Sequence, residues 1–287
     1  MLVFSSDDLL KSEKKILKYV SNKSLIRHLN DSSEVTLLLN FHLVEMVILS
    51  LPVLVKDDFI FKRVLLVIEK DSGSTFLFYR SELLGNKSFE NFISNARRVV
   101  NAKFSLLKVG IRVYFDCVDF LDARCEEIEQ SVVEERYVAR NIVSLMRFDT
   151  ILQQARPNVE GIGIMVDELV RINDGLGENR DVVIGDDLLS LRLDVVQVSG
   201  LLNGLGELID NVSNSIDSIN NFRLNRVMRT LTVVTVCLAI PTLVAGIFGM
   251  NIPLPFAEEI MALPGIIGVS ILVVVLVIML FKGRRYF

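Results

Sequence analysis

The sequence predicts an α+β cytoplasmic domain followed by long stalk helices and two C-terminal transmembrane helices. Three observations carry this fold class: strand-like runs confined to residues 34–80, a heptad seam beginning at Leu191, and two uncharged apolar stretches near the C-terminus. The chain has 287 residues, of which 51% are hydrophobic. Its mean hydropathy of +0.46 is high for a soluble protein.

The apolar excess is concentrated. No charge falls between Arg229 and Glu258, and "LTVVTVCLAIPTLVAGIFGM" (231–250) is long enough to cross the hydrocarbon core. A second apolar run, residues 263–281, follows a loop at 251–262, and residues 282–287 form a basic tail. Arg223, Arg226 and Arg229 precede the first span, and Lys282, Arg284 and Arg285 follow the second. The loop carries Glu258 and Glu259 and no basic residue. The positive-inside rule then puts both termini in the cytoplasm and the loop outside, in a multi-pass protein of the plasma (inner) membrane. The start, "MLVFSSDDLLKSEKK", lacks a basic stretch followed by an apolar one, so no cleaved signal peptide is expected. Cys117, Cys125 and Cys237 form no disulfide framework and fit a reducing interior. A net charge of −4 argues against a nucleic-acid partner.

Residues 1–85 read as the α/β part of the cytoplasmic domain. "DDLLKSEKKILKYV" (7–20) has helical spacing, whereas "EVTLLLN", "EMVILSLPVLVK", "FIFKRVLLVIEK" and "STFLFYR" are β-branched or aromatic runs between polar punctuation. Residues 86–186 read as its helical part. "FENFISNARRVVN" is amphipathic, residues 104–135 make a long helix, and residues 137–154 make another that Pro157 ends. "NDGLGENRD" (173–181) is a break.

Residues 187–230 predict the stalk. Leu191, Val195, Val198, Leu202, Leu205, Ile209, Val212, Ile216 and Ile219 alternate spacings of 4 and 3, a heptad seam. With a stutter-like offset it continues through Asn220, Leu224, Met228, Leu231, Thr235, Leu238 and Thr242. One helix is expected to run from the cytoplasm into the first span, about 90 Å at 1.5 Å per residue. Gly200, Gly204 and Gly206 are its weak point, each costing about 1 kcal/mol relative to Ala. Such a helix needs close neighbours at its glycines, or it breaks there.

Enzymatic signatures are absent, and no enzyme is expected. His28 and His42 are flanked by apolar residues. "GIGIM" and "GLGENR" lack the third glycine and the strand–helix context of a dinucleotide fingerprint, and no Walker lysine motif occurs. Asp116, Asp119, Asp122, Glu126 and Glu129 recur every three or four residues as one acidic stripe. It is either a solvated helix face or a surface that concentrates divalent cations, since carboxylate oxygens suit hard ions. Met228, Leu231, Thr235, Ala239, Thr242 and Gly246 share one face of the first span, which ends near Asn251. Small and hydroxyl residues there serve either helix–helix packing or a pore.

"PTLVAGIFGMN", followed by a short acidic loop, a second span and a basic tail, resembles the CorA magnesium-transporter superfamily, whose mark is Gly-Met-Asn at the end of the first of two C-terminal spans. "LNRVMRTLT" upstream resembles the family's stalk-to-membrane junction. The close match covers residues 224–251, and the two-span layout extends it loosely over the chain. The resemblance implies a homopentameric funnel in membrane lipid, with the first spans lining one pore and the second spans facing lipid. It implies that Asn251 forms a ring at the outer mouth and meets the hydrated ion there, on a turn set by Gly249 and Met250. Thr242 and Gly246 match polar pore positions, with Ala239 and Thr235 on the same lining. Met228 and Leu231 match the hydrophobic gate, and Ala239 stands where a larger residue often sits.

The same resemblance implies Mg²⁺ as both transported and regulatory ion, with no organic cofactor. Asp186, Asp187 and Asp194 are candidates for the regulatory site, and the stripe from Asp116 is the other. Glu258 and Glu259 would attract cations, although "IPLPFAEEIMA" departs from the family's commonest loop, and Phe248 replaces its usual tyrosine. Alternatives are a Zn²⁺, Co²⁺ or Ni²⁺ transporter of the same fold, or a non-conducting membrane-anchored sensor.

Overall fold

A computed structural model describes residues 1–5, 36–40, 44–56, 58–71, 73–79, 81–95, 101–133, 139–175, 182–249 and 262–283. The expected helix at 7–20 and both histidines lie outside these residues. The chain divides into two compact units, Met1–Ser213 and Asn214–Phe287.

The first unit is built on a five-stranded sheet of order β1-β5-β4-β3-β2. The four strand-like runs form β2 (Leu37–Asn40), β3 (Val44–Val55), β4 (Asp58–Glu69) and β5 (Thr75–Tyr79). The fifth strand, β1 (Leu2–Ser5), pairs parallel to β5 and was not expected, because four residues are too few to show an alternation. β3 and β4 pair antiparallel from Val44↔Glu69 to Val55↔Asp58. From Met46 to Val53 every residue of β3 is buried, which explains its unbroken apolar run. Pro52 fits because, among the described residues, β2 pairs with β3 only from Glu45 to Ile48, and no described ladder partner lies on that side of β3 at the proline.

Two asparagines start the helices. Asn86 Oδ1 accepts the N–H groups of Ser88 (2.9 Å) and Phe89 (3.1 Å) and caps α1 (Lys87–Asn95). Asn101 Oδ1 accepts the N–H of Phe104 (3.1 Å) and caps α2 (Ala102–Val133). α2 approaches β3 at Gly110, where a Cβ would lie 3.3 Å from Leu49 Cδ1. One turn on, the Tyr114 hydroxyl donates to the Ser50 carbonyl at 2.5 Å. Burial holds that phenol well above its ordinary range, with the nearby Cys117 pushing the same way and a hydrogen bond to Asn158 opposing, so it stays a donor.

α3 (Ala139–Gly175) does not end at Pro157, as the sequence suggested, but runs through it. A proline inside a helix costs about 3 kcal/mol. Against that, Leu152, Ala155, Asn158, Val159 and Ile162 are all buried around it. Asn158 Nδ2 adds a donor to the Gln154 carbonyl (2.8 Å) in the disturbed turn. Packing outweighs the proline.

α4 (Val182–Phe248) is a single helix of 67 residues. Within the first unit it runs antiparallel to α3. Arg192 Nε meets Asp167 Oδ1 at 2.8 Å, a Cβ on Gly163 would lie 3.2 Å from Val195, and Arg156 Nη2 donates to the Leu202 carbonyl at 3.3 Å. The heptad seam is buried from Leu191 to Ile216, with Ile219 half-buried. Its first half therefore has a partner within the chain, and the seam alone does not require a second copy. Of the three stalk glycines only Gly206 has a close neighbour, the Arg156 guanidinium. Gly200 and Gly204 meet nothing within 4 Å. The helix does not break at them, and within the chain its opposite face, buried at Val198, Leu202 and Leu205, holds it.

Candidate pore face and carboxylate sites

The second unit contains the end of α4 and α5 (Ala262–Gly283). One helix, within Ile184–Ile247, carries a stretch of mean hydropathy 2.1 that can cross a membrane. The apolar part of the other, Ile267–Met279, is shorter. α4 turns Val233, Cys237 and Val244 toward α5, whose Ser270 is buried and whose Val274 is half-buried. Cys237, Pro241 and Val244 with Ser270, Ile271 and Val274 line an apolar space of about 680 Å³ between the two.

The stripe singled out in the sequence lies on the other side. Met228, Leu231, Thr235, Ala239, Thr242 and Gly246 are all exposed. At about 100° per residue, Thr235 and Thr242 sit about 200° round the helix from Cys237 and Val244. Both threonine hydroxyls donate to carbonyls of their own helix, Thr235 to Leu231 and Thr242 to Leu238, each at 2.8 Å. With the proton so committed, the oxygen lone pairs face outward as acceptors. A Cβ on Gly246 would meet nothing within 4 Å, so the face is smooth there. Gly249 follows the last helical residue, and its N–H donates to the Ala245 carbonyl (2.9 Å). A Cβ on it would press to 3.3 Å from that oxygen. Met250, Asn251, Glu258 and Glu259 lie outside the described residues.

In the first unit Asp186 and Asp187 are exposed and Asp194 is half-buried. Among the described residues no three of His, Cys, Asp and Glu come together as a metal cage. Asp186 lines a cavity of about 160 Å³ where α3 ends and α4 begins, and Asp174 shares it. Sequence reasoning passed over Asp174 because it sits in "NDG", read only as a chain break. Gly185 lets the Asn173 amide come within 3.1 Å of a would-be Cβ, closing the base of that cavity. The stripe on α2 is exposed throughout, but Asp116 is occupied: its Oδ2 accepts Asn86 Nδ2 (3.0 Å) and the Ser88 hydroxyl (3.3 Å), tying the α1 cap to α2.

The model of the CorA-like Mg²⁺ transporter protein family matches residues 94–284, well over half of the chain and all of the exposed face from Met228 to Gly246. The chain belongs to this family. Among its relatives, the magnesium transport protein CorA of Campylobacter jejuni is 22% identical over 233 residues, covering 78% of this chain and 67% of that one. The complete CorA magnesium transporter of Methanocaldococcus jannaschii has the same fold, with a TM-score of 0.74 at 16% identity over 96% of this chain and 87% of that one. The full-length CmaX protein is similar at a TM-score of 0.61 and 12% identity, over 89% and 81% of the two chains. Family membership makes the chain a CorA-like divalent-cation transporter with an α/β domain, a long helix and a candidate membrane helix.

Proposed function

We propose that the chain is one subunit of a homopentameric channel that imports Mg²⁺ down the membrane potential. The exposed face of α4 lines its pore, and α5 forms a second, lipid-facing span. One observation carries the reading: the small and hydroxyl-bearing face of the apolar helix points away from its only described partner in the second unit. A helix that merely tethers a domain has no need of such a face. Five copies around an axis would give it an interior to line.

The chemistry suits a hydrated ion. Mg²⁺ sheds water reluctantly, so a pore that admits it must accept hydrogen bonds from its bound waters. Thr235 and Thr242 present acceptor oxygens, and an Asn251 ring would do the same at the mouth without the full charge of a carboxylate. Leu231 and Met228 form the dry gate toward the cytoplasm, and Glu258 and Glu259 draw cations to the entrance. A divalent ion gains about 4.6 kcal/mol across 100 mV, roughly three decades of accumulation, so the pore must close when the cytoplasm is replete. Cytoplasmic Mg²⁺ bound at carboxylates of the first unit, with Asp186, Asp187 and Asp194 as candidates, supplies that brake.

The test is entry of Mg²⁺ into dye-loaded proteoliposomes under an inside-negative potential, for the native chain and Asn251→Ala. Native flux that the substitution abolishes supports the pore and its amide ring. Zn²⁺ flux without Mg²⁺ flux moves the chain to transition metals. No flux of either ion from correctly inserted protein leaves the anchored sensor.

A further inference from the structure

The β3–β4 turn, α2 and α3 enclose a polar cavity of about 500 Å³ that uses none of the residues of the pore face or the α3–α4 turn. We propose that it binds a small polyphosphate anion, either free or as the phosphate chain of a nucleotide.

Three cations from three elements line it: Lys56 from the turn, Arg124 from α2 and Arg147 from α3. The two carboxylates among them are engaged. Glu127 accepts from Arg124 Nη1 at 2.9 Å, while Asp58 accepts the Phe59 N–H at 2.9 Å and stands 3.7 Å from Arg147. Among the described lining residues one positive charge is left over, and Lys56 has no carboxylate partner among them.

Lys56 is also the one described non-glycine residue with positive φ, at 51°. It lies in a two-residue hairpin loop between the paired Val55 and Asp58, where Gly or Asn would take up that conformation at least cost. The turn itself needs no long side chain. A lysine held there against its backbone preference delivers an ammonium to the cavity wall, as strained residues at ligand sites do.

Arg124 is braced as well. Its guanidinium lies 5.6 Å over the Phe120 ring, which in turn meets Phe59 edge-on at 5.4 Å. A guanidinium fork braced in this way, with an ammonium lining the same cavity, matches phosphoryl oxygens better than any neutral ligand. Cations from three separate elements, along a cavity within the usual size of small-ligand sites, favour a chain of phosphoryl groups over a single one.

The experiment uses the full chain in detergent with divalent cations chelated, titrated calorimetrically with pyrophosphate, ATP and citrate as separate probes. Pyrophosphate and ATP binding alike marks recognition of the phosphates alone, and ATP alone marks a nucleotide. Lys56→Gly suits the positive φ, so the unliganded melting temperature should hold or rise while affinity falls about tenfold. Arg147→Gln should weaken binding similarly, and Arg192→Gln, outside the cavity, should not. Absence of binding by both phosphates, citrate binding as tightly, or affinity unmoved by Lys56→Gly overturns the proposal. None of these outcomes depends on whether the chain conducts ions.

Discussion

Asn158, near the middle of α3, accepts two hydrogen bonds from Thr36 at the head of β2: from its N–H at 3.0 Å and its hydroxyl at 3.2 Å. Both residues are buried, and 122 positions of sequence separate them. The Thr36 hydroxyl also accepts the Ser50 N–H at 3.5 Å, so one amide joins a helix to two strands. Asn158→Ala leaves two buried donors without an acceptor and should cost about 3 kcal/mol. For a unit of this size that lowers Tm by about 6–12 °C in a thermal melt of the whole protein. A drop below about 2 °C would mean that water replaces the amide.

Gly161 lies one turn further along α3, and a Cβ there would come 2.8 Å from the Thr36 carbonyl oxygen. That atom is backbone and cannot swing aside. Gly161→Ala should therefore destabilise by about 2 kcal/mol despite alanine's better helix propensity. Gly204→Ala, with nothing within 4 Å, should instead gain about 1 kcal/mol. Paired melts separate the two. If Gly204→Ala lowers the assembled fraction in size-exclusion chromatography, a neighbouring subunit approaches at that glycine.

What the sequence revealed follows from what periodicity can encode. The seam from Leu191 to Ile216 was readable because burial on one helix face forces a 4–3 spacing, and those residues are buried. β3 and β4 were readable as long β-branched runs. Pro157 misled because local propensity says nothing of the residues packed on either side of it. The partner of the seam's first half was equally hidden: that α3 covers it depends on contacts such as Asp167 with Arg192, which no spacing announces. The stripe from Met228 to Gly246 was legible as a pattern. Its orientation away from α5 became visible only with Val233, Cys237 and Ser270 in place.

Cys117 and Cys125 are buried on α2. Burial, and then the charge of Asp122, pushes the Cys125 thiol from 9.0 to about 12, and burial with Asp116 raises Cys117 further. Above pH about 9 the unfolded thiols ionise while the native ones keep their protons, so the native state binds more protons. Stability from this source is intact below that pH and falls as pH rises toward 12. Tyr114 acts in the same direction above 10. Denaturant midpoints measured from pH 8 to 11 should decline, and Cys125→Ala should flatten the slope. A thiol reagent at pH 8 should label neither α2 cysteine until the protein unfolds.

If the face of α4 lines a pore, the Thr242 oxygen matters and its methyl does not. Thr242→Val keeps the shape and removes the acceptor, so Mg²⁺ flux should fall about tenfold, the scale of one hydrogen bond to a charged group. Thr242→Ser keeps the oxygen and should conduct. Equal flux from both variants would remove Thr242 from the lining.

If cytoplasmic Mg²⁺ closes the pore, two sets of carboxylates compete to hold it. Asp174 and Asp186 share a cavity at the α3–α4 turn, whereas Asp119 and Asp122 stand exposed on α2. Among the described residues neither set closes a metal cage, so a regulatory ion held there needs further ligands, such as water or a second subunit, to complete its shell. Shared walls favour the first pair, since two carboxylates lining one cavity can supply oxygen ligands to one hard cation. Asp174→Asn with Asp186→Asn should raise the internal Mg²⁺ that halts flux about tenfold, while Asp119→Asn with Asp122→Asn should leave it unchanged. The opposite result would transfer the regulatory ion to the stripe on α2.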